Sequence, residues 1–215
     1  MSKLSKFAVF DIDGTLIRWQ LYHALVDRLA KYGHLGEGVY ESLQASRMRW
    51  KRRENEDGFY NYELDLIAVF DKAVAKLDVD IFDAMVEEVF EQYKDQVYTY
   101  TRDLILKLKA DGYKIIAISG SHTELVEKIA EYYAFDDFVG TSYARRGNNL
   151  SPDPFVASHH KADLLEELIA KHNLDLKDSY AVGDTLSDAP MLAMVENPIA
   201  FNPDKRLYNL AQKNG

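Results

Sequence analysis

The chain has 215 residues, 47% of them hydrophobic and 28% charged. That is enough apolar material for one large domain or a domain with a sizeable insert, and it excludes a disordered tail, a coiled-coil rod and a collagen-like fibre. The net charge of −9 is spread along the chain, with 11 basic and 16 acidic residues in 17–98, so neither nucleic acid nor an anionic membrane is an expected partner. Without a cysteine there is no disulfide, no thiolate zinc site and no cysteine nucleophile, and any metal would be held by oxygen or by the 6 histidines.

The opening is polar, and only four apolar residues, 7–10, precede Asp11, too few for a secretory signal. No apolar run approaches the length of a membrane helix. A soluble, cytoplasmic protein is therefore expected. The run 7–10 is the first of five that read as buried strands; the others are 114–119, 138–140, 179–182 and 199–201. Short apolar runs separated by helical patterns predict a parallel sheet covered on both faces, an α/β fold.

After the first strand the pattern changes. Leu21, Leu25, Leu29 and Tyr32 mark one amphipathic segment, and further segments follow at about 37–53, 60–77 and 81–93. These predict an all-helical insert, a four-helix bundle over 17–97, within a catalytic core of 1–16 and 98–215. Past residue 98, Leu104, Leu106 and Leu108 precede an Asp111-Gly112 stop. Ser121-x-x-Glu124 predicts a capping box opening a helix through Ile129 and Tyr133. Leu164, Leu165, Leu168 and Ile169 repeat at helical spacing, and Pro190 starts a short helix with Met191, Leu192 and Val195.

The chemistry lies at the strand ends, where ligands bind in open α/β sheets. The first strand runs into Asp11-Ile12-Asp13-Gly14-Thr15. Two carboxylates one residue apart on an extended chain share a side, and a divalent cation offsets their repulsion. Gly14 permits a tight turn with N–H groups facing an anion. By average usage such a string arises on the order of once in 10⁵ positions. Ser119-Gly120 ends the next strand and is expected to open a helix, a phosphate-binding arrangement. Gly183-Asp184-x-x-x-Asp188 brings two more carboxylates to a strand end. Lys161 begins an amphipathic helix and, taken alone, reads as a surface lysine.

Taken in order, these four segments resemble the four motifs of the haloacid dehalogenase-like phosphohydrolase superfamily. The 23 residues from Lys161 to Asp184, and the run from Ser187-Asp188-Ala189-Pro190 to Asn202-Pro203-Asp204, are similar to its subfamily IB, the phosphoserine phosphatase-like members. The resemblance implies a Rossmann-like core with a helical C1 cap between the first two motifs. It also implies a magnesium-dependent phosphatase acting on a small phosphorylated metabolite. Asp11 would be the nucleophile, forming an aspartyl phosphate, and Asp13 the acid and base. Thr15, Ser119, Gly120 and Lys161 would hold the phosphoryl oxygens. Mg2+ would be held by Asp11, the backbone carbonyl of Asp13 and Asp184, with Asp188 acting through water and orienting Lys161.

Several residues depart from the pattern or admit two readings. Gln20 stands where phosphoserine phosphatases carry a glutamate for the substrate's ammonium, which demotes phosphoserine as substrate. Ser187 replaces their usual asparagine. The basic run Arg47-x-Arg49-Trp50-Lys51-Arg52-Arg53 is either a receiver for a second anionic group, with Arg49 a candidate, or a solvated face balanced by Glu54, Glu56 and Asp57. His122 either borders the phosphate site or sits exposed in a first helical turn, and His159-His160 reads as a helix-start loop. A phosphotransferase or mutase would use the same nucleophile. A signalling or binding domain phosphorylated on aspartate is opposed by Asp13, which would destroy the phosphoaspartate. No oligomeric state follows from the sequence.

Overall fold

The five apolar runs become the five strands of one parallel sheet in a computed structural model describing residues 4–214; residues 1–3 of the polar opening lie outside it. In chain order, β1 (Ser5–Phe10) is followed by α1 (Leu21–Lys31), α2 (Val39–Lys51), α3 (Gly58–Ala73) and α4 (Val79–Tyr93). Then come α5 (Thr99–Ala110), β2 (Lys114–His122), α6 (Thr123–Tyr132), β3 (Asp137–Thr141) and a hairpin of β4 (Arg145–Arg146) and β5 (Asn149–Leu150). The rest is α7 (Lys161–His172), β6 (Leu174–Gly183), α8 (Ala189–Leu192), β7 (Asn197–Ala200) and α9 (Lys205–Asn214). The order across the sheet is β3-β2-β1-β6-β7, with every neighbouring pair parallel.

Alternation along the strands explains why the runs are apolar throughout. Phe7 and Val9 of β1, with Ile116, Ile118 and Ala181, pack against Leu164, Leu165 and Leu168 of α7 and Met191 of α8. Ala8 and Phe10 are buried on the opposite face, where the Phe10 ring lies 6.3 Å from Phe135. Each large apolar side chain so buried contributes about 1.5–3 kcal/mol.

Two strands outrun their apolar runs by three residues or more. β6 starts at Leu174 and accommodates a register shift against β1, with Asp178 at φ 59°. β2 continues through Ser119 to His122, which pairs with Thr141. The capping box expected at Ser121 is therefore not formed: Ser121 is held extended, and α6 opens only at Thr123 with no side-chain cap.

The register sets the site. Phe10 is level with Ala117 and Val182, and the Asp11 N–H donates to the Val182 carbonyl at 2.9 Å. Residues after Phe10, Ile118 and Val182 thus emerge side by side at one sheet edge. Just beyond, the Tyr98 N–H donates to Leu16 O (2.9 Å) and the Arg18 N–H to Gln96 O (2.8 Å), flanking an antiparallel bridge between Ile17 and Val97.

The chain forms two compact units. One holds the sheet and comprises the residues up to Gln20, Gln92–Ser142 and those from Phe155 on; the other comprises Leu21–Glu91 and Tyr143–Pro154. Within the second, Leu25, Leu43, Tyr62, Leu66, Phe70 and Phe82 are buried among the four helices. The hairpin segment, which lies in the 98–215 stretch assigned to the core by sequence, belongs to this helical unit. Arg145 makes a bidentate pair with Asp83 (2.8 and 2.7 Å), Asn149 Nδ2 donates to Leu77 O (3.3 Å), and Tyr143 meets the edge of Phe70 (5.4 Å). Among the described residues no helix is long and apolar enough to cross a membrane.

Candidate active site

Carboxylates from two distant segments meet around one lysine at the sheet edge. Asp11 directly follows β1, Asp184 and Asp188 follow β6, and Lys161 opens α7. Lys161 Nζ donates to Asp11 Oδ1 at 2.8 Å and also to Asp188 Oδ1. Lys161 and Asp11 are 3% and 4% exposed and Asp188 not at all, so the lysine that taken alone reads as a surface residue is a buried ion-pair partner, at the edge where the resemblance put it. The Thr15 hydroxyl donates to Asp184 Oδ1 (3.2 Å) and the Ser119 hydroxyl to Asp13 Oδ2 (3.2 Å). Asp11, Asp13, Thr15, Ser119, Lys161, Asp184 and Asp188 are thus linked at this edge, and Gly120 follows Ser119 in β2.

Burial pushes the Asp11 carboxyl up to about 7; Lys161 opposes this, while Asp188 and Asp13 add to it. Burial likewise raises Asp184 to about 9, with Asp11 and Asp188 adding their repulsion. For Lys161, burial disfavours the charge, but Asp11 and Asp188 outweigh it and hold the ammonium above the usual lysine range. One ammonium is too little positive charge for these carboxylates to ionise together. Oxygens of Asp11, Asp184 and Asp188 lie within 4.8 Å of one another. An all-oxygen set with a deficit of positive charge fits a hard divalent cation.

Two glycines make this convergence possible. A Cβ on Gly183 would lie 2.4 Å from Asp188 Cγ, and one on Gly14 would lie 2.1 Å from Asp184 Oδ2. Gly14 also adopts φ 76°, which disfavours other residues. Its N–H does not face an anion, however: it donates to the Ile17 and Trp19 carbonyls (3.0 and 3.2 Å). Ser119-Gly120 is likewise no helix start, since β2 carries the chain two residues further, to His122, before α6 begins.

The model for haloacid dehalogenase-like hydrolases matches residues 8–193. The chain belongs to this family. A phosphoserine phosphatase of Archaeoglobus fulgidus is 24% identical over 96% of the chain, which spans 55% of that relative's length. A histidinol-phosphatase of Neisseria meningitidis is 21% identical over 99% of the chain and 97% of that protein. A solved structure of a phosphoserine phosphatase, carrying an analogue of its phospho-aspartyl intermediate, has the same fold (TM-score 0.67, 23% identity, 96% of this chain and 91% of that one).

In this haloacid dehalogenase-like hydrolase the remaining candidates are distributed unevenly. Gln20 reaches the site loop: its Nε2 would be 3.2 Å from a Cβ on Gly14, beside Asp184. His122 is fully buried rather than exposed in a helical turn, and burial lowers its imidazole to about 3, keeping it neutral. His159 ends a 3-10 turn, and His160 stacks on Phe155 (5.3 Å, 16°). Arg49 lies in the helical unit, 3.7 Å from Asp65, at a cavity of about 300 Å³ lined also by Ser46, Asn55 and Asn61. Three further members of its basic run have partners. Arg47 faces Asp27 (3.5 Å), Arg52 faces Glu54 (3.8 Å), and Trp50 stacks on Tyr62 (5.9 Å, 9°).

Sequence reasoning missed two hydroxyls. Thr101 is buried and donates to Thr15 O at 2.8 Å; nothing local marks it. Thr185 forms a capping box with Asp188, and the signature Thr185-x-x-Asp188 was available to find it.

Proposed function

We propose that this hydrolase is a magnesium-dependent phosphatase that cleaves a small organic phosphomonoester through an aspartyl phosphate on Asp11. The observation that carries this reading is the buried cluster in which Lys161 bridges Asp11 and Asp188 while Asp184 lies within reach of both. Asp11, Asp184 and Asp188 would hold the Mg2+, assisted by the Asp13 carbonyl. When bound, the ion supplies positive charge against the phosphate and lets the carboxylates ionise together.

The chain's own groups then divide the work. The Asp11 carboxylate forms a bond to phosphorus as the ester P–O bond breaks. Asp13 gives its proton to the departing oxygen, then takes one from water as that water attacks phosphorus and frees Asp11. Lys161 donates to the transferring phosphoryl oxygens, as do the Thr15 and Ser119 hydroxyls and Gly120. Thr15 and Ser119 would have to turn from their carboxylate acceptors to do so. Gln20, a neutral amide beside the site loop, favours a substrate without an ammonium group at that point.

Hydrolysis of p-nitrophenyl phosphate and a panel of phosphorylated metabolites, with magnesium and then with EDTA, tests the reading. Turnover is expected with magnesium, lost with EDTA, and reduced at least about a thousandfold by Asp11→Asn. Wild-type inactivity across the panel, or full activity of Asp11→Asn, overturns it. Asp13→Asn is expected to accumulate phosphoenzyme.

A further inference from the structure

The loop after β6 carries two hydroxyls with no part in the chemistry above. Thr185 Oγ1 lies 3.2 Å from Asp188 Oδ2 and 2.8 Å from Ser187 Oγ. The same Oδ2 accepts the Asp184 N–H (3.0 Å) and the Thr185 N–H (2.9 Å). Three donors therefore converge on one carboxylate oxygen, and the other, Oδ1, receives Lys161 Nζ. A carboxylate offers about four lone-pair sites, two on each oxygen, so Oδ2 is saturated while Oδ1 keeps one site beyond the Lys161 contact. A hydroxyl has a single proton. If Thr185 spends it on Asp188, the contact with Ser187 requires Ser187 to be the donor. The result is a directed chain from exposed Ser187, through Thr185 and buried Asp188, to Lys161 and Asp11.

The geometry points to Thr185 as a positioning residue, oriented by Ser187, that fixes the Asp188 carboxylate and through it the Lys161 ammonium against Asp11. Neither hydroxyl would touch the substrate. Without the Thr185 hydroxyl, Asp188 keeps its two backbone donors but loses the side-chain tie that resists rotation about the carboxyl group. Lys161 then samples more positions, and its donors are less well aimed where phosphoryl charge develops. An effect on alignment lowers kcat more than it raises KM.

This inference rests on the proposed phosphatase reading, and the experiment separates the two. Thr185→Val, Thr185→Ser, Ser187→Ala and the Thr185→Val/Ser187→Ala double variant are assayed on p-nitrophenyl phosphate with saturating magnesium, beside thermal melts. Thr185→Val is expected to lower kcat about tenfold with KM within about twofold, and Thr185→Ser to recover most of that loss. Ser187→Ala, an exposed change with no threat to folding, is expected to lower kcat about two- to threefold alone and not at all in the Thr185→Val background. Independent, multiplying effects overturn the chain, as does Thr185→Val matching wild type or Thr185→Ser failing to rescue. If Thr185→Val does not fold, Thr185→Ser and Ser187→Ala still decide it, since Ser187→Ala must lower kcat on an unchanged melting profile. An inactive wild type refutes the phosphatase reading instead.

Discussion

The two units treat charge in opposite ways. In the sheet unit, three carboxylates from two distant segments are packed around one buried ammonium. The helical unit pairs its charges singly and mostly in the open, Arg28 with Glu88 and Arg145 with Asp83. Exposed pairs are worth little, because water already solvates both partners. Buried, mismatched charge is costly unless something completes it. The contrast teaches that the sheet unit carries costly, incompletely compensated charge at its edge, whereas the pairs of the helical unit are cheap and largely solvated.

The sharpest break of that contrast is Lys161→Met. With the ammonium gone, buried Asp11 and Asp188 face each other uncompensated, and unfolding in urea at neutral pH is expected to register a loss of about 3–5 kcal/mol. Next is Gly183→Ala, whose methyl would drive into Asp188. It is expected to cost about 1–3 kcal/mol, read from the urea midpoint, and to lower phosphatase activity with it.

A milder handle is pH. Unfolded, Asp11 and Asp184 release their protons near the ordinary 3.8; folded, they do so at about 7 and about 9. Between those limits the folded chain holds more protons, so stability falls as pH rises. Melting in EDTA is expected at lower temperature at pH 8.5 than at pH 5.5, and added magnesium should narrow the gap. The smallest effect is reserved for the helical unit: Arg145→Ala, removing an exposed pair, is expected to cost no more than about 1 kcal/mol by the same urea measurement. A loss as large as that of Lys161→Met would erase the distinction between the units.

Much of the sheet was legible because its strands are buried on both faces and so read as continuous apolar runs. Their ends were not. β2 persists through Ser119-Gly120-Ser121, small polar residues, because its pairing reaches Thr141 at the far end, a contact no local pattern reveals. The hairpin at 145–150 escaped for the same reason, since its strands are two residues long and its ties run to Asp83 and Leu77. The convergence of Asp11, Asp184 and Asp188 was legible because strand ends in a parallel sheet have a fixed destination, whereas Lys161, at a helix start, was placed only by the family resemblance. Arg49 and its neighbours read locally either as a receiver for an anion or as a solvated face balanced by Glu54, Glu56 and Asp57, while the acids facing Arg47 and Arg49, Asp27 and Asp65, lie elsewhere in the sequence. His122 stayed open between two readings because its exposure depends on where α6 begins, and its burial removes the exposed one.

The small ladder at Ile17 and Val97 has a consequence for what the fold tolerates. It brings the two ends of a long excursion to within one strand spacing, roughly 5 Å, with hydrogen bonds that belong wholly to the sheet unit. Loop closure is thereby settled at the root, independently of what the excursion contains. Since doubling a loop's length adds only about 0.6 kcal/mol of closure entropy, a longer or shorter excursion costs little at this bridge, whereas exchanging the whole of it would strip the 143–154 hairpin of its partners Asp83, Leu77 and Phe70.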